Sequence, residues 1–132
     1  MYDKEIYHFL FLHFPIALLI TGYLFHALFI LLSKLEFKEY VLWTMGMGII
    51  WSVVSIVTGY ITAVEMEYIM SFSEILDKQH SYIMILATIL FIITFALYSK
   101  KSNQKVLFLL HSLAVCFLVY GTHLGAKWAE RI

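Results

Sequence analysis

Four charge-free stretches restrict the fold of this 132-residue chain more than any other feature. A helix needs about 20 apolar residues to cross the roughly 30 Å hydrocarbon core of a bilayer. Each stretch has 21 to 28 residues without Asp, Glu, Lys or Arg, so each is long enough to span a membrane. We predict four spans, at about 8–33, 40–64, 79–99 and 105–126.

Composition and short connections favour one antiparallel bundle. Hydrophobic residues make up 62% of the chain and charged residues 14%, about half the charged share of a soluble domain. Residues 1–132 are therefore predicted to form a single all-α integral membrane domain. Because segments 34–39 and 100–105 are short, neighbouring spans should run antiparallel in a four-helix bundle. In the longer segment 65–78, apolar residues at helical spacing among acids predict a short interfacial helix.

Charge balance and missing motifs exclude several function classes. Nine basic residues offset nine acidic ones, so the chain has no net basic field to attract nucleic acid. The sequence contains no glycine-rich phosphate loop and no serine or cysteine nucleophile with a positioned base. Nucleotide hydrolysis and nucleophilic catalysis are therefore disfavoured.

The lysines predict how the bundle is oriented. One end carries five lysines in its two connections, whereas the connection at the other end has one lysine, Lys78, and four acids. The five are Lys34, Lys38, Lys100, Lys101 and Lys105. Because positive loops stay in the cytoplasm, we expect the lysine-rich end to be cytoplasmic, both termini to lie outside, and the location to be a bacterial inner membrane.

All six histidines fall inside the predicted spans, where ionisable side chains are costly and are candidates for function. Threading the chain up and down places four of them near the outer side of the membrane: His8, His13, His80 and His123. The other two, His26 and His111, lie roughly 9–10 Å below the inner boundary. The histidines therefore form two layers.

The spacing of the two layers resembles that of transmembrane b-type cytochromes. His13 and His26 are 13 residues apart and His111 and His123 are 12 apart, which gives about 18–20 Å along each helix. In such cytochromes paired neutral imidazoles hold stacked haems. The resemblance implies haem b, in two copies, and an electron carrier that works with a quinone or a partner redox protein.

Helical phase leaves the outer ligands open. At about 100° per residue, neither His13 and His26 nor His111 and His123 share one face of a straight helix. Pro15 either kinks the first span or marks its start, which would shift the phase. The outer haem could therefore use His13 with His123, or His80 with either of them, whereas the inner haem is expected to use His26 with His111.

Glycines could leave space for a flat macrocycle between helices. Gly46, together with Gly48, lies near the inner layer, and Gly59, Gly121 and Gly125 lie near the outer layer. The stretch from Gly121 to Gly125 equally matches a small-xxx-small helix contact that needs no cofactor. The same small-residue face would suit a homodimer.

Two other functions fit the same residues. Imidazole and carboxylate groups suit zinc, copper or iron, so the outer histidines could form a metal site or a metal transport path with Glu65 and Glu67. The metal-site hypothesis gives His26 and His111 no role. A third possibility is a cofactor-free subunit of a membrane complex, in which the histidines only form hydrogen bonds.

The first span also carries a family resemblance. The stretch from His8 to Leu18, with its His-x4-His-Phe-Pro-Ile pattern, resembles the opening of a four-span bacterial membrane family of unknown function. That family also has a lone histidine at the start of its third span, which is similar to His80 here. Its fourth span ends in a glycine-containing stretch, which is similar to the stretch from Gly121 to Gly125. The chain departs from the family at Phe9, where proline is usual, and at His26, where an acid is typical. The second departure would create the inner site.

Overall fold

Four helices make up nearly all of the described chain. The computed structural model describes the backbone of residues 3–65, 78–100 and 102–129 and the side chains of 7–65, 78–100 and 102–127. The helices are α1 (Asp3–Leu32), α2 (Leu35–Glu65), α3 (Gln79–Ser99) and α4 (Gln104–Ala129). Each contains a stretch long and apolar enough to cross a membrane, which confirms the predicted all-α, four-span class. The interfacial helix predicted in segment 65–78 falls on residues 66–77, which are outside the described residues.

The helices pack as two hairpins. α1 packs mainly against α2, and α3 mainly against α4, while α2 with α3 and α1 with α4 close the ring. We call α1 with α2 the first hairpin and α3 with α4 the second hairpin. The end that carries the connections 33–34 and 100–103 is the lysine end, and the opposite end is the terminal end. This is the antiparallel bundle that the short connections predict.

Two capping interactions at the lysine end terminate α1 and begin α4. Ser33 has a φ of 53°, and its N–H donates to the carbonyl of Phe29 over 2.9 Å. This left-handed cap satisfies a carbonyl at the end of α1. At the start of α4, the side-chain carbonyl of Asn103 accepts a 2.9 Å hydrogen bond from the N–H of Lys105, as an N-cap residue does.

Pro15 lies inside α1 rather than at its start. Proline has no N–H, so the carbonyl four residues earlier, that of Phe11, loses its helical donor. The hydroxyl of Ser55 on α2 donates to this carbonyl over 2.9 Å. Ser55 is 4% exposed, so the bond is sheltered. The first hairpin therefore repairs the backbone defect that its own proline creates, as membrane helices require.

Polar bonds join the two hairpins. Ser52 of α2 and Thr88 of α3 are hydroxyl partners at 2.8 Å, and Tyr23 of α1 and Ser112 of α4 are partners at the same distance. The core around them is apolar and includes Leu19, Met45, Phe91 and Leu118. Because lipid gives little hydrophobic drive for helix association, such bonds and close packing hold the hairpins together.

Candidate functional site

At the lysine end, the structure brings His26 and His111 together, as their depths predict. Both side chains are fully buried, one on α1 and one on α4. Their Nδ1 atoms lie 3.0 Å apart, at hydrogen-bond distance. The edges of aromatic rings surround the pair, with Tyr98 4.9 Å from the ring of His26 and Phe91 5.7 Å from the ring of His111, centre to centre.

Hydrogen bonds fix which nitrogens of this pair carry protons. The Nε2 of His26 lies 3.2 Å from the side-chain oxygen of Gln104, and an amide oxygen only accepts. Nε2 of His26 therefore carries the proton, so Nδ1 of neutral His26 accepts from Nδ1–H of His111. The remaining nitrogen, Nε2 of His111, is buried and has no partner among the described residues. Each ring therefore uses its facing Nδ1 in the hydrogen bond to the other ring.

At the terminal end, His8 and His80 turn toward neighbouring helices. The Nδ1 of His8 lies 3.3 Å from the hydroxyl of Thr58 on α2, and the Nδ1 of His80 lies 2.7 Å from the carbonyl of Gly121 on α4. The two imidazoles lie at the same end of the bundle, on α1 and α3. Both side chains are half-buried.

The other two histidines of this level face outward. His13 is exposed, and its Nδ1–H donates to the carbonyl of Phe9 on its own helix over 2.6 Å. His123 is also exposed and lines a shallow surface groove with Cys116 and Tyr120. Their depth along the helices predicts His13 and His123 as ligands of the outer haem. Their side chains are exposed, however, whereas those of His8 and His80 are half-buried, so side-chain direction favours His8 and His80 as ligands.

The candidate glycines receive protein side chains. A Cβ added to Gly46 would meet the ring of Phe95 at 3.4 Å, and one added to Gly121 would meet Met84 at 2.6 Å. Gly121 and Gly125 both face α3 of the same chain, so the surface predicted for a homodimer is used within the bundle. At Gly59, the neighbour is the ring of His8. Of the five glycines predicted to leave space for a cofactor, two touch a histidine: Gly59 touches His8 and Gly125 touches His80.

A multi-ligand metal site does not form in the part of the chain that the structure describes. No three of its His, Cys, Asp and Glu side chains are grouped so that they could hold a metal ion. Glu65 lines a shallow groove with Tyr7 and Thr58, and Glu67, the other predicted carboxylate, lies outside the described residues. Structural zinc has four protein ligands and catalytic zinc three, more than the histidine pairs supply.

Sequence reasoning missed two partners of the histidines, Gln104 and Thr58. Gln104 lies seven residues before His111, which is two helical turns and the same face. Thr58 lies three residues after Ser55 on the polar side of an otherwise apolar span. Helical spacing would have found the side chains that fix both tautomers.

These features define a class: a four-span α-helical membrane protein with two buried or half-buried histidines near each end of the bundle. The chain matches the model of the family described as Predicted membrane protein (DUF2231) over residues 6–132, and it belongs to that family. This bears out the resemblance carried by the His-Phe-Pro-Ile opening. No curated protein and no solved structure matches the chain.

Proposed function

We propose that this protein is a membrane b-type cytochrome that carries electrons. The observation that supports the proposal is that four of its six histidines are buried or half-buried, two at each end of the bundle, with one of each two on α1 and the other on the second hairpin. Paired neutral imidazoles from neighbouring helices are the usual axial ligands of such a haem. A haem held by two such imidazoles would supply one-electron redox chemistry.

The two pairs differ in how well they suit a haem iron. At the lysine end, Nδ1 of His26 and Nδ1 of His111 are bonded to each other at 3.0 Å, and both side chains are fully buried. The described residues contain no hydrogen bond between His8 and His80. We therefore propose one haem, bound among the histidines of the terminal end, rather than the two that histidine depth predicts.

Ligand number separates this proposal from a zinc, copper or iron site without a macrocycle. A haem brings four of its own nitrogen ligands and needs two imidazoles from the protein. A zinc ion needs three or four protein ligands, and the described residues group no more than two. The donor set at the terminal end is therefore closer to that of a haem protein.

The proposal includes an orientation and partners. We place the lysine end in the cytoplasm of a bacterial inner membrane, because Lys34, Lys38, Lys100 and Lys105 lie there and positive loops remain inside. The haem would then be near the outer side. Its electron donor and acceptor would be a membrane quinone or a partner redox protein.

Absorption spectroscopy tests the proposal directly. The protein is expressed with a haem precursor, purified in detergent, and recorded oxidised and dithionite-reduced, with haem per chain measured as pyridine haemochrome. We expect sharp reduced α and Soret bands and about one haem per chain. A colourless protein would refute the proposal, and metal analysis would then test the alternative site.

A control at the lysine end tests the haem count. The double variant His26→Leu, His111→Leu removes both imidazoles together, so it leaves neither one buried without its partner. We expect it to retain about one haem per chain with an unchanged spectrum. Two haems in the natural protein, falling to one in this variant, would contradict the single-haem proposal and return the inner pair to a ligand role.

A further inference from the structure

Three polar side chains form one hydrogen-bonded chain that runs from the lysine end into the bundle. Gln104 is the first residue of α4 and is only half-buried, so its amide is accessible from the lysine end. The side-chain oxygen of Gln104 lies 3.2 Å from Nε2 of His26, and Nδ1 of His26 lies 3.0 Å from Nδ1 of His111. The imidazole of His26 therefore connects a half-buried amide to a fully buried imidazole.

Both N–H groups of this chain point toward the lysine end. The oxygen of Gln104 accepts from Nε2–H of His26, and Nδ1 of neutral His26 accepts from Nδ1–H of His111. Nε2 of neutral His111 therefore keeps a lone pair. That nitrogen is buried and has no hydrogen-bond partner among the described residues. The chain thus ends inside the bundle on an unused proton acceptor.

A purely structural pair does not account for this bare nitrogen, because a buried polar group without a partner is costly and calls for an explanation. The hydroxyl of Tyr98, whose ring packs 4.9 Å from that of His26, is also buried without a partner among the described residues. Intramembrane histidines that bond to one another are typical of proton relays. A proton needs no cavity, so the close packing of Phe91 and Phe108 against the two imidazoles does not oppose a relay.

The chain can pass one proton outward in two transfers. When a proton binds Nε2 of His111, the resulting cation still donates its Nδ1–H to His26. Transfer of that Nδ1 proton makes His26 the cation, and Nε2 of His26 then releases its proton at Gln104. On each ring one N–H bond forms and one breaks, so one proton enters, one leaves, and both imidazoles are neutral again.

The same atoms can then pass a proton in the opposite direction. After the transfers, Nδ1–H of His26 donates to Nδ1 of His111, and Nε2 of His26 has a lone pair that faces Gln104. A carboxamide carries both an acceptor oxygen and donor N–H groups, so the amide of Gln104 can turn and donate to that lone pair. Gln104 therefore matches both proton arrangements of the histidines.

We propose that Gln104, His26 and His111 form a proton relay between the lysine end and the interior of the bundle. His26 and His111 carry the proton, and Gln104 is a positioning residue that directs Nε2 of His26 toward the surface. The relay uses no residue of the terminal end, so it is independent of the proposed haem.

Nitrogen magnetic resonance of the full-length protein in lipid bilayers, with isotope-labelled histidine, tests the relay. A coupling between two imidazole nitrogens identifies the pair, because His26 and His111 form the only hydrogen bond between histidines among the described residues. The second readout is the rate at which the N–H of His111 exchanges with water. We expect this exchange to be faster than that of the surrounding backbone amides, although the side chain of His111 is fully buried.

Gln104→Met tests the outer end of the relay, and Gln79→Met is its matched control. Gln79 is likewise the first residue of a helix, α3, but its amide donates to the hydroxyl of Tyr120. We expect Gln104→Met to slow the exchange at His111 about tenfold, the factor that corresponds to a hydrogen bond of about 1.4 kcal/mol. Gln79→Met should leave the rate unchanged. The nitrogen coupling should persist in both variants, which separates a lost relay from a misfolded chain.

Three results would overturn the relay. Absence of the coupling in the natural protein would show that the two rings are not bonded. Exchange at His111 as slow as that of the surrounding amides would show a closed, structural pair. Equal exchange rates in the natural protein and in Gln104→Met, with the coupling intact, would show that protons do not pass at Gln104. If Gln104→Met loses the coupling, Gln104→Leu is measured against the same criterion.

Discussion

Proline in α1 and serine in α2 should be energetically coupled. Pro15 deprives the carbonyl of Phe11 of its helical donor, and the hydroxyl of Ser55 replaces that donor at 2.9 Å. Ser55→Ala therefore leaves a sheltered carbonyl without a partner, whereas the same substitution in a Pro15→Ala chain does not, because the new N–H at position 15 bonds to Phe11. The cost of Ser55→Ala should depend on what occupies position 15.

The magnitude follows from the bond that is lost. Leaving a buried carbonyl unsatisfied costs about 1–3 kcal/mol, while hydrogen bonds between membrane helices are worth about 0.6 kcal/mol on average and about 1.7 at most. We expect Ser55→Ala to cost about 1.5 kcal/mol beside Pro15 and about 0.5 kcal/mol beside alanine. The coupling free energy is then about 1 kcal/mol, or roughly fivefold in the unfolding equilibrium. Any cavity left by Pro15→Ala occurs in both arms of the cycle and cancels.

Reversible unfolding in mixed detergent micelles, followed by far-ultraviolet circular dichroism, measures the four proteins of the cycle. Ser52→Ala is the matched control, because Ser52 lies on the same helix but bonds to Thr88, which Pro15 does not affect. We expect its cost to be the same in both backgrounds. Additive costs for Ser55→Ala and Pro15→Ala, within about 0.3 kcal/mol, would refute the claim that Ser55 repairs the proline defect.

Four further predictions follow, three measured by the same unfolding assay and one by a fusion. Ser33→Gly should stabilise the protein by about 0.5 kcal/mol, because glycine adopts the left-handed φ without strain but loses more chain entropy; destabilisation would contradict this. Asn103→Ala should cost about 1 kcal/mol by removing the α4 cap, and Asn103→Asp should not. His26→Leu and His111→Leu should each cost about 1–3 kcal/mol by stranding the other ring, and the double variant should cost less than their sum; additivity would argue against the bond. A carboxyl-terminal alkaline phosphatase fusion should be active if the termini lie outside, and inactivity would reverse the orientation.

Charge spacing and residue depth predicted much of the molecule. The four spans follow from where charges are absent, and α3 begins and ends at the predicted residues, 79 and 99. The pairing of His26 with His111 follows from their equal depth below one end of an antiparallel bundle. The depth of a residue in the membrane can be counted from the sequence, because each helical residue adds a fixed rise along the helix axis.

The sequence did not predict how each helix is rotated about its own axis. Which side of α1 faces inward depends on packing against α2, where Gly48 receives the side chain of Leu19. That contact turns His8 inward and leaves His13 outward, although both lie near the same level. The role of Pro15 was open for the same reason, since its consequence depends on a serine that is distant in sequence and close in space.

At each end of the bundle, one of the two inward histidines comes from each hairpin, and this has a consequence for biosynthesis. α1 supplies His8 and His26, and the second hairpin supplies His80 and His111. A chain that has inserted only its first hairpin into the membrane holds half of each pair and neither of them whole. On the proposed function, haem binding would therefore require that all four helices have inserted and docked, so the colour of the protein would report completed assembly.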